Sequence, residues 1–405
     1  MGTAPFRPLW RNRDFVLLQA GQFLSSIGSL LTSVAYPLLT LALTHSAAKA
    51  GLVSFARLLP FGVFALPAGV AADRWSRRRL MIAADALRAA AMGVLAALVL
   101  TGNAGLWLIV VVGFVDGSGS TFFGAAEPGA FRAVVPAPQL PAAAGAREGR
   151  RAVVRLGAPP LGGALFGISH ALPFLANAAS YAFSTLSLLA MRTPFQEERE
   201  PERAPLRAQI AEGFHFLWSN AFLRTAAFLY GIGNFLVPAT FLVMVVVGRG
   251  QGLSPAQIGL LSAGIGVGTL IGSLASPLAR KTFSVRTILL LELWTWLGSW
   301  LFVVWPNAWV LAAALTLFGV AAPVTDSVVI GYRLAMTPDR LVGRVESVRS
   351  NISLLIAPLG PLVAGLLLAV TSAQATVAVL ASGGLALALW GTLSPSIRAA
   401  PSPGV

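Results

Sequence analysis

Twelve apolar stretches, each long enough to cross a bilayer, fill almost the whole chain, and one short charged loop separates the second from the third: Gly69-Val-Ala-Ala-Asp73-Arg74-Trp-Ser-Arg77-Arg78-Arg79. A span needs about 20 mostly apolar residues to cross roughly 30 Å of hydrocarbon. The spacing predicts spans at roughly 15–43, 49–72, 80–101, 105–130, 140–168, 171–191, 219–247, 255–279, 286–305, 307–334, 346–370 and 373–394. Only 11% of residues are charged, against about 25% in a soluble domain. No large soluble domain is left for aqueous chemistry, so the function must lie in an all-α membrane bundle.

The sequence removes several function classes. There is no cysteine, and His45, His170 and His215 lie far apart. Neither a metal site nor a cofactor is expected. No phosphate-binding loop of the Walker type is present, which excludes ATP drive within this chain. The net charge of +14 has the size of a nucleic-acid signature, but its placement argues against one. With the N-terminus inside, inner segments hold 24 of the 29 Lys and Arg, the outer loops hold Lys49 and Arg249, and Arg57, Arg88 and Arg224 fall in or beside spans. This positive-inside bias predicts that both termini are cytoplasmic. Arg7, Arg11 and Arg13 are followed by no cleavable signal, so the first span is expected to act as an uncleaved anchor.

The hydrophilic stretch 193–212 divides the chain into bundles at 1–192 and 213–405, six spans each, and reads as a solvated cytoplasmic linker. The halves repeat. Leu9-Trp10-Arg11-Asn12 recurs as Leu217-Trp218-Ser219-Asn220, and Gly51-Leu52-Val53-Ser54 as Gly259-Leu260-Leu261-Ser262, both 208 residues on. Pro159-Pro-Leu-Gly-Gly163 recurs as Pro361-Leu-Val-Ala-Gly365, 202 residues on. Ordered matches at a slowly drifting offset imply two pseudo-symmetric six-helix bundles about an axis along the membrane normal, with a site between them near the midplane.

The charged loop, Gly69-x-x-x-Asp73-Arg74-x-Ser76-Arg77-Arg78, resembles the signature loop of the major facilitator superfamily. Phe23-Leu-Ser25-Ser-Ile-Gly28, Ala83-Ala84-Asp85-Ala-Leu-Arg88-Ala, Pro159-Pro-Leu-Gly-Gly163 and Gly343-Arg344-Val345 are similar to its macrolide-efflux and enterobactin-exporter branch of drug:proton antiporters. The resemblance covers essentially the full length. It implies that the loop holds the two halves shut on the cytoplasmic side. Gly69 is expected to pack closely against a neighbour, Asp73 to face a positive helix end, and Arg77 to pair with Glu127. Lys281 stands where Asp73 would recur and Arg286 where Arg78 would, so the gate should be asymmetric. Gly157, Pro159, Pro160, Gly162 and Gly163 form the glycine-proline run that the resemblance associates with exporters, and small residues there permit close helix approach.

Ionisable residues inside spans are costly and mark function by default. Here they are Arg57, Asp85, Arg88, Asp116, Glu127, Glu292 and Asp326. In the superfamily the third, sixth, ninth and twelfth spans are peripheral, which demotes Glu292 and the Asp85–Arg88 pair; the latter reads as a local i, i+3 ion pair. Asp116 and Asp326 lie on spans that line the superfamily's cavity. Desolvation disfavours the charged form of a carboxylate, so a cavity acid can carry a proton. These two are the proton-coupling candidates, and Arg57 is a partner or an anionic-substrate ligand. The first span offers a polar stripe of Gln22, Ser25, Ser26, Ser29, Ser33 and Tyr36 at helical spacing. Relatives often carry an acid where this chain has Ser29. Tyr230, Asn234 and Thr325 complete the candidate substrate cavity, whose remaining wall is aliphatic and aromatic.

Together these readings predict a monomeric twelve-span secondary transporter in a bacterial cytoplasmic membrane. It would export a hydrophobic or amphipathic small molecule, such as a drug, macrolide-like compound, siderophore or secondary metabolite, in exchange for protons. A nutrient importer on the same fold and a non-transporting membrane sensor are the alternatives. An enzyme would need clustered polar groups at a membrane face, and the sequence has none.

Overall fold

A computed structural model describes residues 8–195 and 206–398, with 206–209 described by backbone alone. Arg7, Arg199 and Arg203, and the charged middle of the expected linker, lie outside the described residues. The first half contains α1 (Arg13–Thr44), α2 (Ala47–Val63), α3 (Ala65–Arg74), α4 (Arg77–Leu100), α5 (Leu106–Val134), α6 (Leu140–Ile168) and α7 (Leu172–Ala190). After α8 (Leu206–Ser219), the second half contains α9 (Ala221–Gly250), α10 (Pro255–Thr282), α11 (Val285–Trp294), α12 (Leu301–Val304), α13 (Ala308–Met336), α14 (Asp339–Ile356), α15 (Leu359–Val370), α16 (Ala373–Leu393) and α17 (Pro395–Arg398). Among the described residues there is no strand.

Local chemistry sets the helix ends. Ser76, Ser254, Ser284, Asn220 and Ser372 each accept a backbone amide of the first turn of the helix they precede. Such caps satisfy amides that would otherwise be stranded near the membrane. The turn after α1 places His45 at φ 50°, and the corresponding turn after α9 places Gly252 at φ 76°.

Among the described residues, ten helical segments are long and apolar enough to cross a membrane, and the pair α2–α3 makes an eleventh span bent by 50° at Phe64. The expected twelfth, α6, has the length, at 29 residues. Its first half carries Arg147, Glu148, Arg150, Arg151 and Arg155, so only the remainder is as apolar as the other spans. Two expected single spans are also interrupted. A 3-10 stretch, Thr295–Trp300, joins α11 to α12, and Pro358 separates α14 from α15. The expected linker is not wholly solvated. α8 crosses the expected boundary at residue 212, and Glu212 pairs with Arg340 at 2.7 Å and with Arg344, both on α14.

Both described chain ends lie on one side. Asn12 donates to the Val134 carbonyl at 2.9 Å, Asp14 accepts from the Thr193 amide at 2.8 Å, and Ser396 donates to Thr225 at 2.9 Å. The halves pack together through α6 against α10 and through α2 against α14 and α15. Much of that packing lies away from the termini. A Cβ on Gly163 would meet the Pro255 backbone, one on Gly259 the backbone of Pro159 and Pro160, and one on Gly51 that of Pro361 and Gly365. Small residues here let two backbones touch. On the termini side, Gly69, Gly124 and Gly343 have nothing within 4 Å of where a Cβ would sit.

Gly163→Val and Gly259→Val should therefore each wedge the halves apart at their contact. We expect each to cost about 1–3 kcal/mol, the usual penalty of overpacking, read as a lower Tm of the purified protein. Gly69→Val should leave Tm unchanged.

Candidate functional site: a buried ionic cluster and a central cavity

Five helices of the first half converge on one carboxylate. Asp116 on α5 accepts from Arg57 Nε on α2 at 3.2 Å and from Arg88 Nε on α4 at 3.1 Å. The Tyr181 hydroxyl on α7 donates to the same carboxylate at 2.8 Å, and it also contacts Arg88 and Ser29. Arg88 reaches back to Asp85 Oδ1 at 3.2 Å, and Arg57 donates to the Ser29 carbonyl on α1 at 3.1 Å. The Arg57 guanidinium lies 5.3 Å from the Tyr36 ring centroid, and that of Arg88 lies 3.8 Å from the Tyr181 centroid. Asp85, Arg88 and Asp116 are at most 4% exposed, whereas the Arg57 side chain is 20% exposed. Two acids against two guanidinium groups leave the cluster neutral, which is how buried charge is tolerated.

This corrects the reading of Asp85 and Arg88 as an isolated local pair. Their i, i+3 bridge is present, but Arg88 continues to Asp116. Gly119 on α5 provides the room, because a Cβ there would strike the Arg88 methylenes.

Between the halves lies a separate cavity of about 390 Å³. Its walls include Leu30, Ser33, Arg155 and Pro159 from the first half, and Phe241, Ile265, Ala322, Pro323 and Asp326 from the second. Asp326 is exposed and has no hydrogen bond or ion pair among the described residues. Arg155 was missed by the sequence reading, which assigned it to the inner-side charges. Its i, i+4 spacing from Pro159, another wall residue, was the available signal.

The expected cavity residues divide. Ser33 lines the cavity, while Ser29, Tyr36 and Arg57 belong to the ionic cluster. Gln22 is buried and Ser26 partly buried. Tyr230 and Thr325 donate to the Leu289 and Ile288 carbonyls of α11 at 3.0 and 3.1 Å, fastening α9 and α13 to it. Asn234 is exposed and donates to the Tyr230 carbonyl. Glu292, demoted in the sequence reading, is buried within electrostatic range of Asp326 and Tyr230. Gly162 lies against the Leu31 backbone and Gly163 against α10, whereas Gly157 touches nothing within 4 Å.

The charged loop is also rearranged relative to expectation. Arg77 lies 3.6 Å from Asp73 and donates to the carbonyls of Ala72 and Phe195. Arg78 donates to the carbonyls of Leu188 and Leu189 on α7. Glu127 pairs with Arg147 at 2.7 Å and Arg150 at 4.0 Å on α6, not with Arg77. Nothing lies within 4 Å of where a Cβ on Gly69 would sit, and Arg74 is exposed. These contacts stay within the first half, as fits halves that pack mainly away from this side.

The repeat explains one contrast. α5 and α13 are both 29 residues long and register at an offset of 202, which sets Phe318 where Asp116 stands. α4 and α11 register at 208, which sets Trp296 where Arg88 stands. Trp296 and Phe318 pack with centroids 5.1 Å apart. The second half thus fills with an aromatic contact the position that the first half fills with an ion pair.

Long apolar helices in two repeated halves, with a cavity between them holding one acid and one guanidinium, define a membrane transporter rather than an enzyme. The family model described as "Transmembrane secretion effector" matches residues 3–399, and the chain belongs to that family of the major facilitator superfamily. The multidrug efflux pump Tap of Mycolicibacterium fortuitum is 27% identical over 95% of each chain. The enterobactin exporter EntS of Shigella dysenteriae is 29% identical over 80% of this chain and 78% of its own. Among solved structures, a bacterial homologue of the iron transporter ferroportin in an inward-facing state superposes with a TM-score of 0.71 at 14% identity, covering 95% of this chain and 99% of its own. The nucleoside transporter NupG superposes with 0.70 at 13% identity, covering 95% and 100%.

Asp116→Asn should strand a guanidinium in the core and cost about 3–5 kcal/mol, the penalty for breaking a buried pair. Arg57→Met added to Asp116→Asn removes the stranded charge, while Arg88 keeps Asp85. The double variant should regain much of the lost Tm, and strict additivity of the two changes would refute the coupling.

Proposed function

We propose that this chain exports a hydrophobic or amphipathic small molecule in exchange for protons, with the bundles 1–192 and 213–405 alternating about the central cavity. The observation that carries the reading is Asp326, an acid without an ion-pair partner in a cavity between the halves. An accessible carboxylate outside ion-pair distance of any cation among the described residues can take up and release a proton as its surroundings change, and Arg349 and Arg333 lie within electrostatic range of it. Arg155 across the cavity offers a counter-charge that substrate, or closure of the halves, can bring into play. Leu30, Phe241, Ile265 and Pro323 supply apolar wall for a bulky substrate. The names of the relatives, a multidrug efflux pump and an enterobactin exporter, support the outward direction.

In this reading the protein is a monomer in a bacterial cytoplasmic membrane, with the termini side cytoplasmic and the cavity opening there for loading. Asp116 becomes the secondary proton candidate, because two guanidinium groups already hold it. The charged loop of Asp73, Arg77 and Arg78 bears on the opposite, closed-cytoplasm state.

Asp326→Asn should abolish uphill export driven by a pH gradient in vesicles, while substrate exchange at equal pH persists. Uphill export surviving in Asp326→Asn and in the Asp116→Asn, Asp326→Asn double variant would refute proton coupling through either acid. Uptake into right-side-out cells driven by the same gradient would establish import instead.

Orientation gives an independent check. A reporter fused after residue 405 should be active only in its cytoplasmic form, since 24 basic residues lie on that side against two on the other.

A further inference from the structure

The two repeats treat one crevice differently. In the first half, the Arg77 side chain lies against Gly129 of α5, where a Cβ would collide with it. The registers described above set Val285 where Arg77 stands, Gly331 where Gly129 stands and Lys281 where Asp73 stands. Beside Arg77 the first half keeps a cavity of about 280 Å³; the second half lacks that arginine and reverses the charge of the acid beside it. A cavity of about 550 Å³ results between α10, α11 and α13 on the termini side, and a Cβ on Gly331 would meet nothing within 4 Å. Its walls are largely apolar, with Phe283, Val285 and Ile288 among them. Arg280 and Lys281 also line it, both exposed and neither ion-paired among the described residues.

We propose that this crevice binds an acidic phospholipid of the termini-side leaflet, with its phosphate on Arg280 and Lys281 and an acyl chain along Val285, Ile288 and Gly331. An apolar slot alone would accept any acyl chain. Two cations without acids at its rim select a negative headgroup, and basic pockets between spans at a membrane surface are suited to such lipids. The lipid would bridge the α10–α11 turn to α13 as Arg77 bridges the corresponding elements of the first half. The proposal does not depend on the direction of transport or on what is transported.

The test is native mass spectrometry of the protein taken from phosphatidylcholine vesicles containing a minor fraction of phosphatidylglycerol. Wild type should retain phosphatidylglycerol in preference to phosphatidylcholine. Arg280→Gln with Lys281→Gln should bind it roughly thirtyfold more weakly, the combined effect of two cations near an acidic lipid. Gly331→Leu, which fills the slot and leaves both cations in place, should also displace it. Val285→Arg, which restores the missing side chain, is the second filling variant in case the first folds poorly. No lipid preference in wild type overturns the proposal. Retention unchanged in both well-folded filling variants overturns it too, because the cations would then act as a surface patch only. Complete competition by glycerol 3-phosphate would show a site for a soluble phosphate and overturn the lipid assignment.

Discussion

Hydrocarbon makes an isolated charge expensive, and the arrangement of this protein follows from where that cost is met and where it is avoided. In the first half it is met by mutual neutralisation, with Asp116 between Arg57 and Arg88, and Asp85 behind. The same contacts tie α1, α2, α4, α5 and α7 into one body. In the second half Trp296 and Phe318 pack at the corresponding positions, and the buried acid Glu292 lies one turn from Trp296 with no ion pair among the described residues. Its exposed acid, Asp326, stands at the cavity, where water reaches it. The first half is tied together by its own charges, whereas Asp326 makes no direct ion pair among the described residues.

The repeat is informative because it has diverged. One backbone plan is used twice, and each pair of equivalent positions compares two solutions to one packing problem. Arg88 and Asp116 against Trp296 and Phe318 is one such pair. Arg77 packed on Gly129, against Val285 beside the open space at Gly331, is another. At the contact between the halves, divergence is limited by geometry. Gly163 and Gly259 bring α6 onto α10 backbone to backbone, and Gly51 and Gly365 do the same for α2 and α15. A side chain at any of these glycines would hold the halves apart where they meet.

The spans, the repeat and the family were legible in the sequence, because hydropathy, order-preserving matches and the charged loop are one-dimensional signals. Side-chain pairings were less so. Helical periodicity states which residues share a face, but not which helix that face meets. Asp85 and Arg88 were visible as an i, i+3 pair, yet the reach of Arg88 to Asp116 depends on the bare surface of Gly119 one helix away. Glu127 was matched to Arg77 of the charged loop, while α6 supplied Arg147 and Arg150 from a run counted with the inner-side charges. The same segment hid Arg155, since five charges in half a helix read as a membrane boundary. The polar stripe of α1 was read as one cavity face, but Ser33 faces the cavity while Ser29 and Tyr36 face the cluster.

Those charges on α6 have a structural logic of their own. A helix that lines an aqueous opening need not be apolar along its length, because water meets the face that hydrocarbon does not. α6 is charged toward the termini side and small and apolar toward the other, where Gly162 and Gly163 pack on α1 and α10. The opening and the seal are therefore written along a single helix. Arg155 sits at the boundary between them, its backbone against Gly266 of α10 and its side chain on the cavity. Movement of α6 against α10 necessarily moves that guanidinium relative to Asp326 on α13. The electrostatics of the cavity are in this way coupled to the contact between the halves, without any charge having to cross the membrane on its own.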